Sequence, residues 1–176
     1  MLNALPIAIG FNAQFSMKGI TLILLTIIFS LPVFGQEIKK IKITDLEKII
    51  AESKAPLVIN FWATFCKPCM EEIPFFQKLG KKYEKEGVGL LLVSLDMKDA
   101  YPGQVNTFVK KKKITTPVVW LDETDADYFC PKIDTTWSGA IPATLFINNK
   151  NSYRKFTEEP LTEDQIEKEV RILFNQ

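Results

Sequence analysis

The 176-residue sequence contains no histidine. That absence excludes Ser-His-Asp and Cys-His catalysis, histidine-ligated metals and a histidine pH switch. Acidic residues are missing from the first 35 positions, where Lys18 is the only charge. The remainder, residues 36–176, balances 21 basic against 21 acidic side chains. A balanced chain has no net electrostatic footprint for nucleic acid, and none is expected as a partner. Uncharged apolar runs are also short: the longest candidate, Gly19 to Phe34, has 16 residues. There is no repeat at a solenoid period and no composition break after residue 36. Three cysteines without histidine are too few for a four-ligand zinc site. What chemistry there is must come from Cys, carboxylates, Lys or Tyr.

The N-terminus reads as an address. Met17-Lys18 followed by the apolar run and Pro32-Val33-Phe34-Gly35 has the basic start, apolar middle and small-residue end of a secretory signal peptide, with a cut expected at Gly35/Gln36. Met17 is the better start, which makes residues 1–16 an upstream extension. The alternative is a retained anchor, since the run is shorter than the ~20 residues a spanning helix usually needs. Only a retained segment would give this chain a membrane contact. The expected division is therefore 1–35, extension plus signal or anchor, and 36–176, one domain. Both readings put that domain outside the cytoplasm, in a periplasmic or other extracytoplasmic space.

In the domain, Ile38 to Ile43 reads as an edge strand, followed by a short helix to Ser53 capped by Thr44 or Asp45. Leu57 to Trp62 is nearly continuous apolar, as in a strand buried on both faces. A helix is expected from Lys67 to Glu86, with Ile73, Phe76, Leu79 and Tyr83 on its apolar face. Further strands are expected at Val88–Leu95, Pro117–Leu121, Ala143–Asn148 and Ser152–Phe156, with helices at Val105–Lys112 and after the capping box Thr162-x-x-Gln165. A helical turn falls between Asp122 and Trp137. Asp96 and Asp122 end strands and are read as turn residues. The alternation predicts a three-layer α/β domain with a mostly parallel central sheet and an antiparallel edge hairpin.

Cys66-Lys67-Pro68-Cys69 follows the buried strand and opens a helix. Unpaired N–H groups and the positive dipole end there stabilise a thiolate at Cys66. The two-residue spacing brings the sulfurs within disulfide range, and Pro68 fits a first turn that needs no donor. Cys130, beside Tyr128 and Phe129, reads as a buried thiol acting as a small hydrophobe. Lys110 to Lys113 reads as a solvated helix end, and Trp137 as either a substrate rim or a loop anchor.

The segment Val58-Ile59-Asn60-Phe61-Trp62-Ala63-Thr64-Phe65-Cys66-Lys67-Pro68-Cys69 resembles the active-site strand and turn of the thioredoxin superfamily. Glu71-Glu72-Ile73-Pro74-Phe75 resembles its exported TlpA/ResA-like branch. Gly139 to Ile147, with Pro142, is similar to the superfamily's cis-proline strand. The resemblance spans roughly 38–174 and implies a thioredoxin-like fold. It implies an exported thiol-disulfide oxidoreductase with no cofactor, acting on disulfide-bearing proteins and re-reduced by a membrane thiol donor. Cys66 would be the nucleophile and Cys69 the resolving thiol. Pro142 would be cis, with the Ile141 backbone, Lys67, Pro68 and Trp62 at the docking surface. Glu72 would tune the thiols and relay protons to or from Cys69. Its bland counterpart is a solvated glutamate in a first helical turn. Asn60 stands where many thioredoxins place a buried Asp and cannot take up a proton. The Lys67-Pro68 pair lacks the His of strongly oxidising relatives, which favours a reductant. Two rivals remain. A peroxide reductase of this fold would want a Thr three residues before the reactive Cys, where Ala63 stands. A non-enzymatic or copper-handling module would want Cys-x-x-x-Cys plus His.

Overall fold

The structure is a computed structural model that describes residues 38–175. The expected extension and signal segment lie outside the described residues. Six strands form one sheet: β1 (Lys39–Ile41), β2 (Leu57–Trp62), β3 (Gly89–Ser94), β4 (Val118–Leu121), β5 (Ala143–Asn148) and β6 (Tyr153–Thr157). Their spatial order is β1-β4-β3-β2-β5-β6. The first four are mutually parallel. β5 is antiparallel to β2, and β6 to β5, so the last two form the expected edge hairpin. Five helices complete the domain: α1 (Ile43–Glu52), α2 (Lys67–Lys82), α3 (Gly103–Lys111), α4 (Ala126–Ile133) and α5 (Glu163–Asn175).

β2 explains the layering. Its side chains alternate, and both faces are buried. Ile59 and Phe61 join a core with Leu46 of α1 and Phe129 and Ile133 of α4. Trp62 faces the other way, with Ile73 of α2 and Val105 and Val109 of α3. Val58 packs with Phe76 of α2 and Ile166 and Val170 of α5 on that same side. Burying a side chain the size of Phe61 completely contributes about 2–3 kcal/mol.

Some boundaries differ from the sequence reading. α1 begins one residue before Thr44, with Lys42 at the N-cap; Asp45 sits at the third helical position and accepts the Lys42 N–H at 2.9 Å. α2 stops at Lys82, not Glu86. Tyr83 is the last residue with an apolar surface to bury, and Glu84, Lys85 and Glu86 are all exposed. Gly87, at φ +77°, then makes the turn that sends Val88 back into the core. The turn between Asp122 and Trp137 is a full helix, α4, capped by the Asp125 carboxylate on the Tyr128 N–H. α5 opens with the expected capping box: Thr162 N–H donates to Gln165 at 2.8 Å, and Gln165 N–H to the Thr162 hydroxyl at 3.3 Å. Among the described residues no helix is long and apolar enough to cross a membrane.

Candidate active site

Parallel strands bring their C-terminal ends to one edge, where open α/β sheets place their sites. β2 ends at Trp62 directly opposite Ser94 of β3. Antiparallel β5 starts at the same edge, with Ala143 opposite Phe61. The cysteine loop, Asp96 and Pro142 therefore converge because of sheet topology.

Cys66 is the N-cap of α2, and it is joined to Cys69 in a disulfide with a Cα–Cα distance of 5.3 Å. The Cys69 N–H donates to Cys66 Sγ at 3.2 Å. Cys69 is completely buried, whereas Cys66 keeps 6% of its surface. Of the two sulfurs in this disulfide, the N-terminal one is thus the one a docking partner can approach. Cys66 Sγ lies 3.8 Å from the carbonyl oxygen of Ile141, and the Ile141–Pro142 peptide bond is cis. Lys67 and Pro68 are exposed between the cysteines, and Pro142 is buried beside them. The Tyr101–Pro102 bond, outside this cluster, is also cis.

Glu72 is not the solvated glutamate of the bland reading. It is 2% exposed, one helical turn beyond Cys69. One carboxylate oxygen accepts from Asn60 Nδ2 at 2.7 Å and the other from the Leu161 N–H at 2.9 Å. Burial pushes its carboxyl above the usual range, and those two donors only partly offset this. A groove of about 250 Å³, lined by Pro68, Phe75, Pro160 and Leu161 among others, reaches Glu72 from the surface. Asn60 also donates to Thr144 Oγ1 at 3.1 Å. Asn60 Oδ1 and Trp62 Nε1 are buried without a partner among the described residues. Polar capacity is therefore left over in the core around the cysteines.

Trp62 requires a correction. It is fully buried, 5.1 Å from the Phe108 ring, in the same cluster as both cysteines. A side chain at the end of a strand covered on both faces supports the site from beneath and does not rim it. The exposed aromatic is Phe65, at 67%, immediately before Cys66. Trp137 is a loop anchor: it is buried against Phe61 at 4.6 Å and Phe129 at 5.8 Å, and its Nε1 donates to the Ala140 carbonyl at 2.9 Å.

Two functional contacts escaped the sequence reading. Asp96 is buried and is more than a turn residue. Both its oxygens accept the Thr64 N–H, at 3.0 and 3.1 Å, and it also accepts the Thr64 hydroxyl at 2.5 Å and the Ser94 hydroxyl at 2.8 Å. The turn before Cys66 is thereby fastened to the end of β3. Glu158 does the same for the proline loop, accepting the N–H groups of Ser138 at 3.1 Å and Ala140 at 2.7 Å. Burial raises the Glu158 carboxyl, but the Ser138 and Ala140 donors outweigh it and hold it below the usual range. The pattern Ser94-x-Asp96 at the end of a buried strand was the available signal for the first contact.

Cys130 is a free thiol buried in α4. Burial first, then the Glu158 and Asp127 charges, push it up to about 11. No group of three or more metal-ligating side chains occurs among the described residues.

A six-stranded mixed sheet with a Cys-x-x-Cys disulfide heading a helix and a cis-proline loop across from it defines a thioredoxin-fold protein. The chain belongs to the AhpC/TSA family, whose sequence profile matches residues 27–155. It is similar to the thiol-disulfide oxidoreductase ResA of Oceanobacillus iheyensis, 28% identical over 141 residues, which cover 79% of this chain and 66% of that protein. The ResA of a Bacillus cereus strain is 30% identical over 138 residues, 76% of this chain and 74% of that one. The chain thus spans slightly less than two thirds of the Oceanobacillus protein. A thioredoxin-related protein from Neisseria meningitidis serogroup B shares the fold, with a TM-score of 0.61 at 24% identity over 72% of this chain and 91% of that one.

Proposed function

We propose that the protein is an exported thiol-disulfide oxidoreductase that reduces disulfides in other proteins. The observation that carries this reading is the Cys66–Cys69 disulfide at the N-terminus of α2, with one sulfur partly exposed and the other sealed. In the reduced protein, the α2 dipole and the Cys69 N–H favour a thiolate at Cys66. A helix N-terminus contributes up to about 2 kcal/mol to a partly buried anion.

The thiolate attacks one sulfur of a substrate disulfide. The substrate's own S–S bond breaks, and its other sulfur leaves as a thiolate and takes up a proton. Cys69, once deprotonated, attacks Cys66 Sγ in the mixed disulfide and releases the second substrate thiol. The electron pair has passed to the substrate, and the Cys66–Cys69 bond is restored. Because Cys69 is buried, its proton needs a local acceptor. Glu72 is the buried carboxylate one turn away, and its raised pKa suits transfer to and from a thiol. Asn60 cannot take that proton, but it orients Glu72 by donating to it. The Ile141 backbone offers an edge for pairing with an extended substrate chain, with Pro142, Lys67 and Pro68 alongside. An extracytoplasmic reductant needs a donor beyond the cytosolic thiol pool, so a membrane thiol protein is proposed to re-reduce Cys66–Cys69. The signal-like sequence of residues 17–35 and the ResA relatives support export.

Membership in the AhpC/TSA family keeps peroxide reduction as the second reading. Two assays on the full-chain protein separate them. Equilibration with graded thiol buffers is expected to give a reduction potential near −270 mV, as for thioredoxin, and reduced protein is expected to cleave protein disulfides while leaving hydrogen peroxide largely unconsumed. A potential near −120 mV would make it an oxidant, and turnover of peroxide faster than of disulfides would replace this reading with the second.

A further inference from the structure

The loop that faces Cys66 is clasped by one side chain. β5 joins the ladder only at Ala143, so Ile141, whose carbonyl oxygen lies 3.8 Å from Cys66 Sγ, stands outside the register of the sheet. The residues just before it are tied down instead. The Ala140 carbonyl accepts from Trp137 Nε1 at 2.9 Å. The N–H groups of Ser138 and Ala140, at 3.1 and 2.7 Å, and the Ser138 hydroxyl all donate to the Glu158 carboxylate. Gly139 lies between the two N–H groups at φ +96°, in the left-handed region that favours glycine. Backbone N–H groups that converge in this way make a concave seat for an anion. Here a carboxylate of the same chain fills it.

Glu158 is itself firmly held. Thr157, next to it, ends β6 and pairs with Thr144 of β5. Leu161, three residues on, is buried and donates its N–H to Glu72 at 2.9 Å. The short link from β6 to α5 therefore reaches two parts of the site, Glu72 and the proline loop.

Satisfying donors does not account for the clasp. Ser138 and Ala140 are exposed, and water serves an exposed N–H at little cost. What water cannot do is hold both groups at one fixed point. A carboxylate does so, because its hydrogen bonds are charge-assisted and its own backbone is anchored to the sheet.

We propose that Glu158 is a positioning residue for substrate docking: it fixes the Ile141 edge beside Cys66, where an extended polypeptide pairs with it, and takes no part in the sulfur chemistry. This rests on the oxidoreductase reading and adds the group that sets a preference for polypeptide disulfides over small ones. Without Glu158 the edge has to be ordered at every docking event. Fixing the backbone of one residue costs about five- to thirtyfold in affinity.

The test compares insulin with dithiobisnitrobenzoate as substrates of the full-chain protein, reduced beforehand and freed of reductant. The small disulfide has no backbone to pair with Ile141. For Glu158→Ala we expect the half-saturating insulin concentration to rise about five- to thirtyfold, with the limiting rate and the reaction with dithiobisnitrobenzoate unchanged. Glu158→Gln removes the same charge but keeps one acceptor oxygen, so it should fall between wild type and Glu158→Ala. Glu159→Gln, a change at the neighbouring exposed carboxylate, should match wild type. Equal losses on both substrates, a lower limiting rate at unchanged half-saturation, equal effects of the two Glu158 variants, or a Glu158→Ala protein that handles insulin as wild type does would each overturn the proposal. Those outcomes leave the oxidoreductase reading standing. Wild-type protein that reduces neither disulfide would overturn that reading, and this proposal with it.

Discussion

Cys66 and Cys130 are the same residue at nearly the same burial, 6% and 2% exposed, yet their surroundings prepare them for opposite fates. Cys66 caps a 16-residue helix, with its sulfur facing the Cys69 N–H and a partner thiol one turn away. Cys130 lies inside an eight-residue helix, with Asp127 and Glu158 adding repulsion to burial, and its thiol is pushed up to about 11. Burial alone therefore does not make a cysteine inert. The sign of the local field and the presence of a partner sulfur decide it.

The sharpest way to break this comparison is to remove each thiol in turn. Cys66→Ser should reduce disulfide turnover to background, and Cys69→Ser should leave a mixed disulfide trapped on Cys66 that non-reducing gels detect. Cys130→Ala should leave turnover unchanged. If turnover fell with Cys130→Ala and survived Cys66→Ser, the assignment would be reversed.

Asp96→Ala comes next. It strands the Thr64 N–H and two hydroxyls, and hydrogen bonds to a charged group contribute about 1.5–3 kcal/mol each when their loss leaves buried donors unpaired. We expect a loss of about 2–3 kcal/mol in denaturant unfolding, together with a slower reaction at Cys66. An unchanged midpoint would mean the turn before Cys66 holds itself.

Glu72→Gln has a pH signature. The folded state raises the Glu72 carboxyl, so the fold binds its proton more tightly than the unfolded chain does. Its contribution to stability is greatest at low pH and is lost as pH rises from the unfolded value near 4.5 through the raised folded value, at 1.36 kcal/mol per unit of difference. Unfolding of the oxidised protein, whose Cys66 and Cys69 do not titrate, should show this decline, and Glu72→Gln should flatten it. Identical pH profiles for the two proteins would remove Glu72 as a proton carrier. The smallest effect belongs to Cys130→Ala again: a small cavity beside Gly139, costing about 1 kcal/mol.

Much of this site was legible in the sequence because local pattern and local chemistry coincide there. Cys66, Pro68 and Cys69 lie within one turn of a helix whose start was marked by a buried strand. Ala143–Asn148 was readable to the residue, because Pro142 before it and the Asn149-Lys150-Asn151 turn after it mark both ends of the strand. Trp62 was misplaced because an aromatic beside a motif looks like surface, whereas alternation along β2 turns it into the α2–α3 core. Asp96 and Glu158 were missed because their partners lie 32 and 18–20 residues away and meet only through sheet topology. Glu72 could be placed one turn beyond Cys69 from spacing, but its burial depends on the Leu161 loop folding over it.

The most direct test of the contrast between the thiols is residue-resolved alkylation of the reduced full-chain protein. Pulses of iodoacetamide over a pH series, with Cys66 and Cys130 quantified by mass spectrometry, give each thiol its own midpoint. The account predicts that Cys66 reacts with a midpoint clearly below the 8.5 of a free thiol, while Cys130 stays unmodified until the pH approaches 11. A Cys66 midpoint at or above 8.5, or two cysteines that titrate together, would contradict it.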